Sequence, residues 1–246
     1  MRTGLLRAPG GHPATWVATG RSGGASAPPF DALNLAGHVG DDPICVDANR
    51  DRVAQAAGAR GWAVMDAVHG AEVAVVSEAG LITGVDGLVT SVPGLAIMAL
   101  GADCVDIGLA SGASVGVAHA GWTGVVVGIV PAVVHALRRV SGTSEVVAMI
   151  GPSVCGRCYP VPDQRVDRVR RECDVADQMV VTATNGQQGL DVAAGVVAQL
   201  TELGVSIVWR DERCTVESKD LFSYRRDGRT GRHGVAVCLR EDDSHE

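Results

Sequence analysis

The stretch GADCVDIGLASGASVGVAHAGWTG, residues 101–124, holds two apolar runs that are each long enough for one buried strand. The runs are VDIGLA at 105–110 and SVGVAHA at 114–120, and the Ser and Gly residues between them favour a turn. A similar run, LAIMAL, precedes them at 95–100. Short apolar runs bounded by turn residues are typical of strands that are buried on both faces. The centre of the chain is therefore predicted to be a buried sheet.

Helical and strand-like patterns alternate outside this stretch. The helical patterns cover 47–57, 124–140, 163–173 and 191–203, and the second restarts at Pro131. Strand-like pieces lie at 63–76, 146–152 and 204–210, and a glycine-rich turn leads into a final strand. The segment 20–42 is rich in Gly, Pro, Ser and Asp and is predicted to be irregular. This alternation predicts an α/β fold, a layered sheet covered by helices, in a single domain over 1–246.

Charge and composition restrict the partners and the compartment. The formal net charge is −7, whereas a nucleic-acid-binding protein needs a basic face, so a small-molecule substrate is expected instead. The longest apolar run, at 125–137, is too short to cross a bilayer and contains Pro131 and His135. The N-terminus has no signal-peptide pattern, so a cytoplasmic location is expected. Seven irregularly spaced cysteines indicate reduced thiols rather than a disulfide framework.

Cys104, His119 and His69 are the candidate metal ligands. Cys104 precedes one predicted strand, His119 ends the next, and His69 lies at a strand-to-turn junction. One thiolate and two imidazoles suit zinc, and three protein ligands leave a fourth position for water, which zinc makes a better nucleophile. The alternative is a buried thiol and hydrogen-bonded imidazoles, since free cysteine is among the most buried residue types. If the two strands pair antiparallel, their outer ends need not meet, so the spacing alone leaves both interpretations open.

Several motifs in a fixed order resemble one known family. They are FDALNLAGHVGDD at 30–42, VHG at 68–70, ADC at 102–104, HAGW at 119–122, IGP at 150–152 and FSYRRDGRTGR at 222–232. In this order they resemble the laccase-domain family, also called multicopper polyphenol oxidases or peptidoglycan editing factors, whose members include purine nucleoside phosphorylases. The resemblance extends over about 23–239, nearly the whole chain.

The resemblance implies a fold, a metal site and a reaction. The family fold is a three-layer α/β/α arrangement with a mixed sheet. Its zinc ligands and catalytic residues correspond here to His69, Cys104 and His119. Family members cleave adenosine, inosine, guanosine or methylthioadenosine with phosphate, and they can deaminate adenosine. A purine nucleoside and phosphate are therefore the expected substrates.

Three positions depart from the family pattern. Ala67 stands where the family usually has a glutamine, Asp106 where it has a proline, and Thr123 where it often has an arginine. These changes remove a polar group and a cation near the ligands and add a carboxylate that repels phosphate if it faces the pocket. A diverged member with a pathway-specific substrate is therefore an alternative.

The candidate substrate-binding residues are Arg225, Arg226, Arg232 and Asn34. Guanidinium groups match the geometry of phosphate oxygens, and the three arginines lie close together in the C-terminal motif. The alternative for any one of these arginines is an exposed charge on a solvated turn. Asn34 lies in the N-terminal motif, in a loop that could close over a substrate.

Cys155 and Cys158 form a CxxC spacing, which can indicate a redox pair or half of a zinc site. No second CxxC follows in the sequence. A loop that lines the substrate pocket is the simpler interpretation.

Other functions compete with zinc-dependent phosphorolysis. In a metal-free hydrolase, Cys104 would be the nucleophile and His119 its base. Copper is less expected than zinc, because the chain has seven histidines and no His-x-His pair, whereas a multicopper oxidase needs many. A non-catalytic descendant that binds a nucleoside or a protein is a further alternative.

Overall fold

The computed structural model describes residues 1–241, and two six-stranded sheets form its centre. Strands are numbered in chain order. The first sheet contains β1 (Arg2–Leu6), β2 (Ala14–Ala18), β3 (Gly61–Asp66), β5 (Gly80–Thr83), β7 (Leu95–Gly101) and β14 (His233–Leu239), and its order is β1-β2-β14-β7-β3-β5. The second contains β4 (Val73–Val75), β6 (Gly87–Thr90), β8 (Val105–Ser111), β9 (Ser114–Ala120), β10 (Val147–Ile150) and β13 (Ser206–Arg210), and its order is β13-β10-β8-β9-β6-β4. Both sheets are mixed, with parallel and antiparallel pairs. A separate antiparallel pair joins β11 (Val180–Thr182) and β12 (Gln188–Leu190).

Helices cover the outer faces of the two large sheets. The helices of the described chain are α1 (Pro43–Ala56), α2 (Trp122–Val127), α3 (Ile129–Ser141), α4 (Asp163–Glu172), α5 (Ala176–Met179), α6 (Val192–Glu202) and α7 (Tyr224–Asp227), and all except α7 contribute buried residues. One apolar cluster joins α1 to the outer face of the first sheet, and a larger one joins α3 and α6 to the outer face of the second. None of the helices within residues 1–241 combines the length and the apolar character needed to span a bilayer.

A third apolar cluster fills the space between the sheets. Strand β7 shows why, because Ile97 belongs to this inner cluster whereas its neighbour Met98 packs toward α1. The expected α/β class, mixed sheets and single domain are confirmed. The predicted single sheet is instead two stacked sheets, so the layers run helix, sheet, sheet, helix.

Local chemistry explains where the elements begin and end. Helix α1 begins at Pro43, four residues before the predicted start, because the side chain of Asp42 accepts the N–H of Ile44 and proline is favoured in the first turn. The predicted helix over 124–140 divides into α2 and α3 at Gly128, whose φ of 93° ends α2, and not at Pro131. The hairpin of β1 and β2 was not predicted.

Candidate metal and substrate site

The β8–β9 hairpin brings Cys104 and His119 together. The strands pair antiparallel with Val105 opposite Ala120 and Asp106 opposite His119. Because the hairpin closes at Ser111 and Ser114, the start of β8 must lie beside the end of β9. Cys104 directly precedes β8, so its thiol lies next to His119. This pairing makes the outer ends of the two strands meet, which the spacing of the residues did not predict.

Asp86 positions the third candidate ligand, His69, in the turn between β3 and β4. The carboxylate of Asp86 is fully buried and accepts the backbone N–H groups of His69 at 2.8 Å and Gly70 at 2.7 Å. His69 has a φ of 61°, in the left-handed region. These hydrogen bonds hold the turn in that conformation, and they direct the exposed imidazole toward Cys104.

The three side chains form a compact set of candidate ligands. The Sγ atom of Cys104 lies 4.0 Å from Nε2 of His69, and the ligand atoms of all three residues lie within 4.8 Å of one another. Nδ1 of His119 lies 3.1 Å from Oδ1 of Asp86, which leaves Nε2 for a metal. A histidine that binds a metal through one ring nitrogen commonly donates the other ring N–H to a carboxylate. The set therefore fits a tetrahedral zinc with one open position.

Charges in this cluster favour a thiolate. Burial would raise the pKa of Cys104, but the positive charge of His119 and hydrogen bonds from both imidazoles lower that pKa well below its usual range. The same thiolate and Asp86 raise the pKa of His119, against the opposing effect of burial. A thiolate is the form of cysteine that binds metals and acts as a nucleophile.

A cavity of about 640 Å³ opens beside the three ligands. Besides the ligands, its lining includes three aromatic and three cationic side chains: Trp122, Tyr159, Tyr224, Arg165, Arg225 and Arg232. Arg225 lies over the ring of Tyr159 at 4.5 Å, and Arg165 lies over Trp122 at 4.9 Å. The volume and the lining suit an aromatic, anionic or phosphate-bearing ligand.

The four predicted substrate-binding residues occupy two different environments. Arg225 and Arg232 line the cavity, and no carboxylate within residues 1–241 pairs with the guanidinium of Arg225. Arg226 does not line it, because its guanidinium donates to the carbonyls of Thr215 and Leu221 and pairs with Asp227.

Asn34 also lies outside the cavity lining. It is fully buried, and its side chain binds Asp41, the backbone of Ala36 and the N–H of Arg232. The geometry therefore places Asn34 behind Arg232, where it positions the backbone of that arginine.

Asp103 connects the ligand set to the C-terminal motif. It has a φ of 108°, and its carboxylate accepts the hydroxyl of Thr215 at 2.5 Å, the hydroxyl of Ser223 at 2.7 Å and the N–H of Arg225 at 2.7 Å. These bonds fix the residue next to Cys104 and place Arg225 at the cavity.

The three departures from the family pattern differ in their placement. Ala67 lines the cavity, whereas Thr123 lies in α2 outside the lining. Asp106 is buried and lines no part of the cavity, so its carboxylate does not face a ligand there. Burial raises the pKa of Asp106 to about 8, and within the described chain neither of its oxygens has a hydrogen-bond partner.

Sequence reasoning missed Asp86, Arg165 and Trp122. Asp86 is a lone carboxylate in an apolar run just before β6, and a charged residue in that context was the available signal. The interpretation of the CxxC loop needs a correction. Val154 and Tyr159 on either side line the cavity, but Cys155 and Cys158 do not.

Comparisons with known proteins identify the family of this chain. A family model described as multi-copper polyphenol oxidoreductase laccase matches residues 15–240. The chain belongs to this family. A purine nucleoside phosphorylase of Streptomyces coelicolor is 45% identical over 230 residues, which cover 90% of this chain and 93% of that protein. One of Mycobacterium tuberculosis is 42% identical over 231 residues, or 91% of each chain.

Two solved structures share the fold. The crystal structure of YlmD from Geobacillus stearothermophilus aligns with a TM-score of 0.81 and 34% identity over 97% of each chain. The hypothetical protein YfiH of Bacillus licheniformis aligns with a TM-score of 0.83 and 30% identity, over 92% of this chain and 93% of that protein. The family predicted from the motifs is thereby confirmed.

Proposed function

We propose that this laccase-family chain is a zinc-dependent purine nucleoside phosphorylase. The observation that carries the proposal is the ligand set of His69, Cys104 and His119 beside a cavity that also presents Arg225 and Arg232. The relatives named purine nucleoside phosphorylase support the same reaction.

Different residues would bind the metal and the phosphate in phosphorolysis. Zinc held by His69, Cys104 and His119 would supply a Lewis acid that stabilises developing negative charge. Arg225 and Arg232 bind phosphate by charge and by paired N–H donors. A phosphate oxygen forms a bond to the anomeric carbon while the bond from that carbon to the purine nitrogen breaks. The purine leaves with the electron pair of the broken bond and takes up a proton.

Adenosine deamination and methylthioadenosine phosphorolysis are proposed as further activities of the same cavity. Its aromatic side chains accept a purine whichever bond reacts. Ala67, where the family usually has a glutamine, lies in the lining and so favours a shifted substrate preference.

Product analysis tests the proposal. Zinc-loaded protein is incubated with adenosine and phosphate, and the products are separated by liquid chromatography and identified by mass spectrometry. We expect adenine and ribose 1-phosphate, with inosine if the protein also deaminates. His119→Ala should form neither, whereas His135→Ala, which changes an exposed histidine on α3, should match the parent. Absence of product from folded, zinc-loaded protein contradicts the proposal.

A metal-free Cys-His hydrolase is the second candidate. It is favoured by the lowered pKa of Cys104 and by the contact of its sulfur with His69 at 4.0 Å. Activity that survives complete removal of zinc, together with rapid alkylation of Cys104 that abolishes it, would favour this candidate over the zinc enzyme.

A further inference from the structure

Two tight turns outside the cavity bring three cysteines and a glutamate together. Cys155 precedes and Cys158 ends a short 3-10 turn in which the N–H of Cys158 donates to the carbonyl of Cys155 at 3.0 Å. Cys214 and Glu217 have the same spacing on the opposite turn, where the N–H of Ser218 donates to the carbonyl of Cys214 at 2.9 Å. All seven cysteines are free thiols.

Backbone pairing holds the turns against each other. Ser153 and Cys214 form a parallel β-bridge, and the N–H of Thr215 donates to the carbonyl of Ser153 at 3.1 Å. Each turn thus contributes two side chains to one point in space. Their three sulfur atoms and a carboxylate oxygen all lie within 4.8 Å of one another.

The distances suit a tetrahedral metal site. Zinc–sulfur bonds of about 2.3 Å place the sulfurs of a tetrahedral site roughly 3.8 Å apart, so sulfur separations of at most 4.8 Å need to shorten by no more than about 1 Å. The thiol of Cys158 already lies 3.6 Å from Oε1 of Glu217. The N–H of Cys155 donates to the sulfur of Cys214 at 3.3 Å, a contact that supports a thiolate ligand.

We propose that this cluster is a second, structural zinc site, distinct from the site at the cavity. Its four ligands are Cys155, Cys158, Cys214 and Glu217. Three thiolates favour zinc over hard cations such as magnesium or calcium. Four protein ligands complete a tetrahedron and leave no open position, so the bound ion stabilises structure and does not take part in catalysis.

The second site would hold both segments that support Asp103. The N–H of Val154, beside Cys155, donates to the carbonyl of Asp103 at 3.0 Å, and the hydroxyl of Thr215, beside Cys214, donates to its carboxylate at 2.5 Å. Zinc bound between these turns fixes the backbone next to Cys104. Its loss therefore loosens the cavity without removing a ligand of the first site.

Metal counting tests this proposal without any measurement of activity. Protein purified under reducing conditions with zinc and then freed of loosely bound metal should contain about two zinc ions per chain by elemental analysis. The double variant His69→Ala/His119→Ala should retain about one. Cobalt substitution of that variant should give strong sulfur-to-cobalt charge-transfer absorption in the near ultraviolet, as three thiolates require.

Variants in that double-mutant background locate the remaining ion. Cys158→Ser should remove it, and Glu217→Gln should weaken zinc binding about tenfold or more, because it replaces one anionic ligand. Cys45→Ser changes a cysteine on α1, away from the cluster, and should retain the ion.

Three results would overturn the proposal. The first is a double variant that binds no zinc while its thiols are free. The second is an ion that Cys158→Ser leaves in place. The third is a native disulfide among Cys155, Cys158 and Cys214, shown by mass spectrometry after alkylation without reduction.

Discussion

Gly121→Ala should weaken zinc binding at the cavity although it changes no ligand. A Cβ atom at this position would lie 2.9 Å from Cδ2 of His69 and 3.3 Å from Sγ of Cys104. Carbon atoms at rest lie about 3.5–4.0 Å apart, so the imidazole would have to move by roughly 0.6 Å or more. Zinc sites tolerate deviations of only about 0.2 Å in ligand distance. We therefore expect the imidazole of His69 to shift away from its best position for metal binding.

The expected effect is a zinc Kd about 10- to 100-fold higher, in the range found when the support of a ligand is lost. The assay is competition with a chelator of known affinity on metal-free protein. Stability of the metal-free form should hardly change, because the exposed His69 can move aside and Gly121 has a φ of −73°, which alanine adopts readily.

Gly61→Ala provides the matched control, since its Cβ would meet Ala79 at an ordinary 3.5 Å. The control should bind zinc as the parent does. A folded Gly121→Ala protein whose zinc Kd stays within about twofold of the parent would refute the reasoning.

Further predictions concern the support of the site, the arginines and pH. Asp86→Asn should raise the zinc Kd about 10- to 100-fold in the same competition assay, because the carboxylate that holds both imidazole-bearing segments is lost; an unchanged Kd would contradict that role. Arg225→Met should raise the KM for phosphate about tenfold in steady-state kinetics, with little change in Tm. Arg226→Met should instead lower Tm in thermal melts, because four backbone carbonyls lose their donor. A lower Tm in Arg225→Met together with a higher KM for phosphate in Arg226→Met would contradict the assignment. Burial lowers the pKa of His233 to about 4 from 6.5, so its stabilising effect is complete above pH 6.5 and is lost as pH falls toward 4. The shift corresponds to about 3 kcal/mol in the free energy of unfolding. Urea unfolding at pH 7 and pH 4 should therefore show a loss of stability at pH 4 that is smaller by that amount in His233→Gln than in the parent protein. An equal loss in the two proteins would contradict this.

Apolar runs without alternation made the centre of the fold predictable. Strand β9 spans the predicted residues 114–120, and every residue in it is buried. The division of the strands between two sheets was not predictable. A strand that is buried on both faces has the same apolar sequence whether a helix or a second sheet packs against it. Helix α1 shows a similar limit, because its start depends on one side-chain hydrogen bond from Asp42.

The candidate ligand set was predictable mainly from the family motifs. His69 lies far from Cys104 in sequence, and Asp86 links its turn to the hairpin by hydrogen bonds to His69, Gly70 and His119. Arg225 and Arg226 are adjacent in sequence and identical in chemistry, yet one faces the cavity and the other holds a turn. A short helix such as α7 makes this choice through local backbone geometry, which residue type does not encode.

The second ligand cluster escaped sequence reasoning for a similar reason. A CxxC pair is completed here by Cys214 and Glu217, which lie more than fifty residues further along the chain. Cys214 and Glu217 do not form a second CxxC, so no sequence motif marks them as partners of the first pair. The bridge between Ser153 and Cys214 creates the cluster.

A zinc titration of metal-free protein tests the central claim most directly. Phosphorolysis of adenosine and zinc bound at His69, Cys104 and His119 are measured in the same samples, with Cys104→Ser in parallel. We expect activity to rise in proportion to the zinc bound at this site, and Cys104→Ser to stay inactive at every zinc concentration. Full phosphorolysis by metal-free protein, or by Cys104→Ser without zinc at the site, would contradict the account.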